Sequence, residues 1–427
     1  MNPIKSLRRV AFICAAVLLF PQRANPQHWV NPDFECHRLD LRDLGYPEVN
    51  QIPANSSAIT ALLTGANGMI YGGTSGEEAY LFLYDPSINK VRHLGKIAGQ
   101  EGIHHALVQD SAGFIYVGTG KNILQQLELT KKIAPGRDSI SDALWNDIRK
   151  AYAGYEGGRL YRYDPKTGDR QVLLPGDHSP VEDLGIAVSN NSIYALVIHP
   201  ATGAIYGISY PAGRLFEYQI GQKKFRDLGE LDSDVIFHGP ERDWRSLPRA
   251  LVCDEAGRVY TSGKGGFLIS YDPGKGAIES TGLRIPGEYY PVQAYTGHPV
   301  VEYFAKTEKG LIYGGSSDGY LFSFDPLKRK LVNLGKPRVS RRLRALSVGK
   351  DGRLYMVAGE RFEPCRLFSF GPGGSGFRDL GVLAVDRSPY YSWRGYQFDA
   401  MTTGPDGTIY IGESERRSHL FLYLPPQ

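Results

Sequence analysis

Histidine, tyrosine, tryptophan and arginine are the side chains here that could do chemistry, and they gather in a few short stretches. His104 and His105 are adjacent, and Tyr210 and Arg214 flank a Ser-Tyr-Pro-x-Gly turn. His238, Arg242, Trp244, Arg245 and Arg249 follow closely. Tyr290 with His298, Arg341 with Arg342, and Tyr391 with Trp393 and Arg394 form further groups, and Arg417 lies near the end. Imidazole and phenol move protons, guanidinium makes paired hydrogen bonds to carboxylate or sulfate, and aromatic rings stack on sugar faces. The set suits an acidic polysaccharide. Single-stranded nucleic acid would call on similar groups, but the export signal described below argues against it.

These groups must be positioned by many short strands. The 427 residues include 51 Gly and 27 Tyr, with 42% hydrophobic and 22% charged residues. Glycine supplies tight turns and tyrosine fits pleated strands. One pattern recurs: an apolar strand, a turn with Asp or Gly, a strand centred on Ile-Tyr, a Gly-rich loop, and an aromatic strand often ending Tyr-Asp-Pro. It is clearest at residues 61–95 and 302–335, with further copies centred on Tyr116, Tyr206, Tyr260, Tyr355 and Tyr410. Seven copies spaced mostly at 42 to 55 residues suit four-stranded blades. The expected fold is therefore an all-β, seven-bladed β-propeller.

Naming the strands of each copy A to D, the last copy stops at strand C, HLFLYLPPQ. The missing D phrase stands at the other end of the chain as HRLDLRDLG, residues 37–45. An N-terminal strand that completes the last blade would close the ring and remove an exposed edge. The second copy is interrupted: Tyr116 and Tyr163 are 47 residues apart where Tyr71 and Tyr84 are 13 apart. In this insertion, about 121–156, Ile140, Ala143, Leu144, Ile148, Ala151 and Tyr152 fall at helical spacing after Ser139 and Ser141. A helix is expected there. The alternative reads ALWNDIRKAYAGY as another strand pair, making eight blades.

Residues 1–24 read as a signal peptide: Lys5, Arg8 and Arg9 precede an apolar run from Val10 to Phe20, too short to span a bilayer. Residues 25–427 then form one propeller domain, secreted or periplasmic, with no stable membrane insertion and expected as a monomer. Removing the signal takes four of 49 basic residues and no acidic one, leaving 45 of each sign. Any attraction for a polyanion must come from the placement of charge. The remaining cysteines, Cys36, Cys253 and Cys365, are too few and too scattered for a disulfide framework.

In a propeller the D-to-A and B-to-C loops open on one face. The histidines, arginines and aromatics grouped at the outset, Arg214 aside, fall there, with few acidic residues among them. His199 falls in a turn on the opposite face. No nucleotide loop, zinc motif or nucleophile elbow occurs, nor an acidic and amide set of the kind metal-dependent propeller hydrolases use. No cofactor or metal is expected.

The phrases GIHHALVQDSAGFIYVGTG (102–120), IYGISYPAGRLFEY (205–218) and PRALVCDEAGRVYTS (248–262) resemble those of the secreted propeller proteins that include the ulvan lyases. The similarity spans most of the chain, and the His-His, Ser-Tyr-Pro-x-Gly and Arg-Ala-Leu phrases are its more specific parts. It implies a seven-bladed lyase that cleaves a sulfated, uronate-containing polysaccharide by β-elimination. Such a reaction needs a base for the proton beside the carboxylate, a group that stabilises the enolate, and an acid for the leaving oxygen. Mapped by motif, the resemblance implies His104 or His105, Tyr210 and Arg249 as catalytic groups. Arg214, His238, Arg242, Trp244, Arg245, Tyr290, His298, Arg341, Trp393 and Arg394 would line the substrate. Histidine-dependent ulvan lyases use a second histidine, and none occurs here between His105 and His178. Either Tyr210 does the acid and base work, or His238 substitutes, or the activity is absent. A non-catalytic carbohydrate-binding or scaffolding propeller, and a propeller lactonase or antibiotic-cleaving lyase, are the competing readings.

Overall fold

Among the described residues the strands form seven antiparallel sheets of four strands arranged as a seven-bladed β-propeller, with one additional two-stranded hairpin. The structure, a computed structural model, describes residues 38–44, 52–122, 150, 152–231, 248–287, 298–338, 342–359, 363–387, 389, 391–415 and 417–426. Blades 1 to 6 begin at strands Ala58–Thr64, Leu107–Gln109, Ser192–Ile198, Val252–Cys253, Val301–Lys306 and Leu343–Val348. Blade 7 is built from Phe398–Thr403, Ile409–Glu413, His419–Tyr423 and, as its outermost strand, Leu39–Asp43. The first and last strands of the chain pair antiparallel from Leu39 with Tyr423 to Asp43 with His419. Leu39 and Leu41 are buried against blade 6, following the period-2 pattern of a strand with one covered face. The ring is closed as the sequence predicts.

The repeat has a packing reason. Every marker tyrosine, Tyr71, Tyr116, Tyr206, Tyr260, Tyr313, Tyr355 and Tyr410, is buried. In blades 2, 4 and 6 its hydroxyl donates to an aspartate of the preceding turn: Tyr116 to Asp110, Tyr260 to Asp254 and Tyr355 to Asp351. The glycine after it is required in blades 1, 3 and 5. A Cβ on Gly72, Gly207 or Gly314 would run into the ring of Phe82, Phe216 or Phe322 on the neighbouring strand. Separate apolar clusters join adjacent blades, as where Ile59, Phe82 and Tyr84 meet Ala400, Tyr410 and Leu420.

The insertion departs from the eight-blade alternative. The strand that pairs with Ile115–Gly118 is Arg159–Tyr163, and Tyr152 lies in a helical turn with Ala153. Most of the expected helix, at 123–149, lies outside the described residues, as do the signal peptide and Cys36. Cys253 and Cys365 are buried free thiols in different blades. Among the described residues no helix is long and apolar enough to cross a membrane.

Candidate functional site at the channel mouth

The site is built by one irregularity repeated around the ring. In blades 1, 3, 5, 6 and 7 the innermost strand shifts register at its second or third residue, at Thr60, Tyr194, Glu302, Arg344 and Asp399. A β-bulge leaves one residue without a partner and re-aims its side chain. In blades 2 and 4 the strand starts later, and His105 and Arg249 hold the corresponding place before Ala106-Leu107 and Ala250-Leu251. These positions therefore carry Thr, His, Tyr, Arg, Glu, Arg and Asp in ring order.

Four of these side chains are paired with one another, Arg249 with Glu302 and Arg344 with Asp399. Arg249 pairs with Glu302, and both are 5% exposed. Arg342, from the loop before blade 6, closes on the same carboxylate at 3.0 Å. Arg342 takes a left-handed backbone (φ 68°), with its amide bonded to the Ser317 carbonyl. That conformation is uncommon outside glycine and is often found where a site demands it. Asp399 accepts from Ser414 at 2.5 Å and lies 3.9 Å from Arg344. Burial alone would raise the Glu302 carboxyl, but Arg249 and Arg342 override it and hold it at about 2. Asp399 is likewise held below the usual carboxylate range by Arg344 and Arg342, against its burial. Among the described residues, three arginines and two carboxylates meet in this cluster.

His105 lies within the field of this group. Burial lowers its pKa, Asp399 and Glu302 oppose the shift, and Arg249 and Arg342 add to it. The imidazole is neutral near pH 7. His104 and His105 take different roles. His105 lines a channel cavity of about 170 Å³ together with Glu302, Tyr303 and apolar side chains that include Ala61, Leu196 and Leu251. His104 is buried, stacks on Tyr194 at 5.5 Å and donates from Nε2 to the Lys121 carbonyl at 3.1 Å.

Tyr194 bridges to Tyr210, its ring centroid 5.6 Å from His105 and 6.3 Å from Tyr210. Tyr210 ends the second strand of blade 3 and is buried. Among the described residues nothing hydrogen-bonds its hydroxyl. Burial and the neighbouring Tyr194 raise its pKa, Arg249 opposing, so the phenol stays protonated. Tyr152, from the end of the insertion, packs edge-on against Tyr210 at 5.9 Å and bonds Ser192 through its hydroxyl. The insertion thus reaches this face.

Of the residues singled out from sequence, His105, Tyr210 and Arg249 are brought together. Others are placed elsewhere. Arg214 sits on the third strand of blade 3, engaged by Asp227 and Glu230 of the outermost strand. Trp393 lies on the extra hairpin, where its ring packs at a tilt against His419 and its Nε1–H donates to Glu413 at 2.8 Å. Arg394 is exposed on the same hairpin. His298 is half-buried in the approach to blade 5, and burial pushes its imidazole down to about 4. His199 is a turn residue, its Nδ1 accepting from the amides of Ala201 and Thr202. His238, Arg242, Trp244, Arg245, Tyr290 and Arg341 lie outside the described residues. Sequence reasoning missed Tyr194, Glu302, Arg344 and Asp399.

No family model matches the chain, and no curated protein matches it. Solved structures do share its architecture. A streptogramin B lyase aligns with TM-score 0.58 at 9% identity, over 91% of this chain and 97% of that one. A catalytically inactive virginiamycin B lyase from Staphylococcus aureus with quinupristin aligns with TM-score 0.57 at 10% identity, over 91% of this chain and 100% of the other. The extracellular domain of a hybrid two-component system from B. thetaiotaomicron gives TM-score 0.54 at 14% identity, over 90% of this chain and 40% of that one. At these identities the likeness is one of fold.

Proposed function

We propose that this protein is a carbon-oxygen lyase that cleaves an acidic, uronate-containing polysaccharide by β-elimination at the channel mouth. The observation that carries the reading is the convergence of a neutral His105, a protonated Tyr210 hydroxyl that no described residue hydrogen-bonds, and the arginines Arg249 and Arg342 on one carboxylate. A substrate carboxylate would be held beside Arg249 and Arg342. His105 would take the proton beside the carboxylate, and the C–O bond to the leaving sugar would break as a carbon–carbon double bond forms. Tyr210 would return a proton to the leaving oxygen. Sulfation of the substrate, as in ulvan, follows from the sequence resemblance. Lyase chemistry on a propeller scaffold has a precedent of fold in the streptogramin B lyase.

A second reading, a non-catalytic propeller that binds such a glycan, draws on the buried pairing of Arg249 with Glu302, which already occupies part of that guanidinium. One experiment separates the two. Purified protein is incubated with ulvan and with other polyuronates while the absorbance of newly formed unsaturated uronate is followed. A rise supports the lyase. No rise on any polyuronate, with measurable binding, supports the binding propeller.

A further inference from the structure

The residue that follows the bulge position, or the place corresponding to it in blades 2 and 4, is alanine in six blades: Ala61, Ala106, Ala195, Ala250, Ala345 and Ala400. In blade 5 it is Tyr303. Alanine leaves the channel open, whereas a tyrosine can reach across it. The Tyr303 hydroxyl donates to the Met401 carbonyl of blade 7 at 3.1 Å, and its ring meets that of His105 in blade 2 edge-on at 5.6 Å. One side chain thus connects three blades, none of them adjacent to another.

We propose that Tyr303 is the positioning residue for His105, its ring edge fixing the imidazole. The inference rests on the reading above for the role of His105, and its geometry stands apart from it. His105 is also faced by His104 on its own segment, Tyr194 of blade 3, Arg249 of blade 4, Glu302 of blade 5, Arg342 before blade 6 and Asp399 of blade 7. Among the described residues Tyr303 and Tyr194 make the aromatic contacts to its ring. An imidazole that loses such a wall gains rotamers and water, and both misplace a proton-transfer group.

The test is an NMR titration of isotope-labelled histidines in the full protein, with the His105 signal assigned by its loss in His105→Gln. Tyr303→Phe keeps the ring edge and removes the hydroxyl, whereas Tyr303→Leu removes the ring. The unmutated protein and Tyr303→Phe are expected to share one His105 shift and a titration below the ordinary imidazole range. Tyr303→Leu is expected to move the signal and carry its titration back toward that range. An unchanged His105 in Tyr303→Leu, or a Phe variant altered as much as the Leu variant, overturns the proposal. Should Tyr303→Leu fail to fold, Tyr303→Met, flexible and of similar volume, takes its place. Where the unmutated protein cleaves polyuronate, Tyr303→Leu lowers kcat by about 10- to 100-fold with KM little changed, and Tyr303→Phe restores it. Absence of turnover in the unmutated protein removes the lyase reading, while the titration still decides the positioning role.

Discussion

Arg249 and Glu302 form a buried ion pair across the boundary between blades 4 and 5, with Arg342 closing on the same carboxylate. Removing charge from one member of such a group leaves the others buried and uncompensated, which typically costs about 3–5 kcal/mol. Glu302→Gln leaves two arginines facing each other without their counter-ion. Urea unfolding should show a midpoint lowered accordingly. In a double variant that also replaces Arg249 by Met, part of the loss should return. A Glu302→Gln midpoint equal to that of the unmutated protein would mean that water already screens the pair.

Closure of the ring supplies a second prediction. Leu39 and Leu41 of the N-terminal strand lie in the cluster that joins blades 6 and 7, and burying one leucine contributes roughly 1.5–3 kcal/mol. Replacing both by Asp should cost roughly 3–6 kcal/mol and expose the edge of His419–Tyr423. A lowered melting temperature with concentration-dependent aggregation is expected. Unchanged melting would show that blade 7 is stable with three strands.

The blades and their closure were legible in the sequence because each depends on local grammar: a buried Tyr, a Gly that admits a Phe ring, and a D phrase missing at one end and present at the other. The channel ring was less so. Its signal is the phrase in which an apolar residue, a variable residue, Ala and Leu follow one another, as in Ile59-Thr60-Ala61-Leu62 and Leu343-Arg344-Ala345-Leu346. Only the variable position carries chemistry, and it differs in most blades, so comparison of the copies for likeness passes over Glu302 and Asp399. Arg249 and His105 drew notice through their own phrases. Arg214 was misleading because a turn near Tyr210 suggests proximity, whereas the two acidic residues opposite it on the outermost strand decide where its guanidinium goes.

Acid should weaken the fold before it unfolds it. Burial pushes His104 from 6.5 down to about 4, with the Lys121 carbonyl opposing. The unfolded chain therefore takes up this proton more readily than the folded one. The associated stability is complete above about pH 6.5 and is lost as the pH falls toward 4, a difference on the order of a few kcal/mol. Glu302, held at about 2, adds a further loss below the ordinary carboxylate range. Chemical denaturation at several pH values should show stability declining across this window. His104→Phe, which keeps a ring against Tyr194 and cannot titrate, should flatten the decline between pH 6.5 and 4. An unaltered slope would assign the effect to the other buried histidines.

The catalytic proposal makes its sharpest prediction at Tyr210. Tyr210→Phe removes one hydroxyl that no described residue hydrogen-bonds, so the fold loses no protein–protein bond there and should melt as before. Glycan binding should also persist, because little contact area is lost. A general acid or base contributes about 10²- to 10⁴-fold, and a comparable fall in kcat with KM little changed is expected. Arg249→Ala should behave differently. It strands Glu302 with Arg342, lowers stability, and weakens both ground-state carboxylate binding and the enolate-like transition state, so that kcat/KM falls through both terms. The pH profile gives an independent check. With His105 as base, turnover should rise through a value below the ordinary imidazole range, because burial depresses it, and stay level on the alkaline side while the raised Tyr210 phenol keeps its proton. Full activity in Tyr210→Phe would move the acid role to another group, and a profile unchanged by His105→Gln would remove the base assignment.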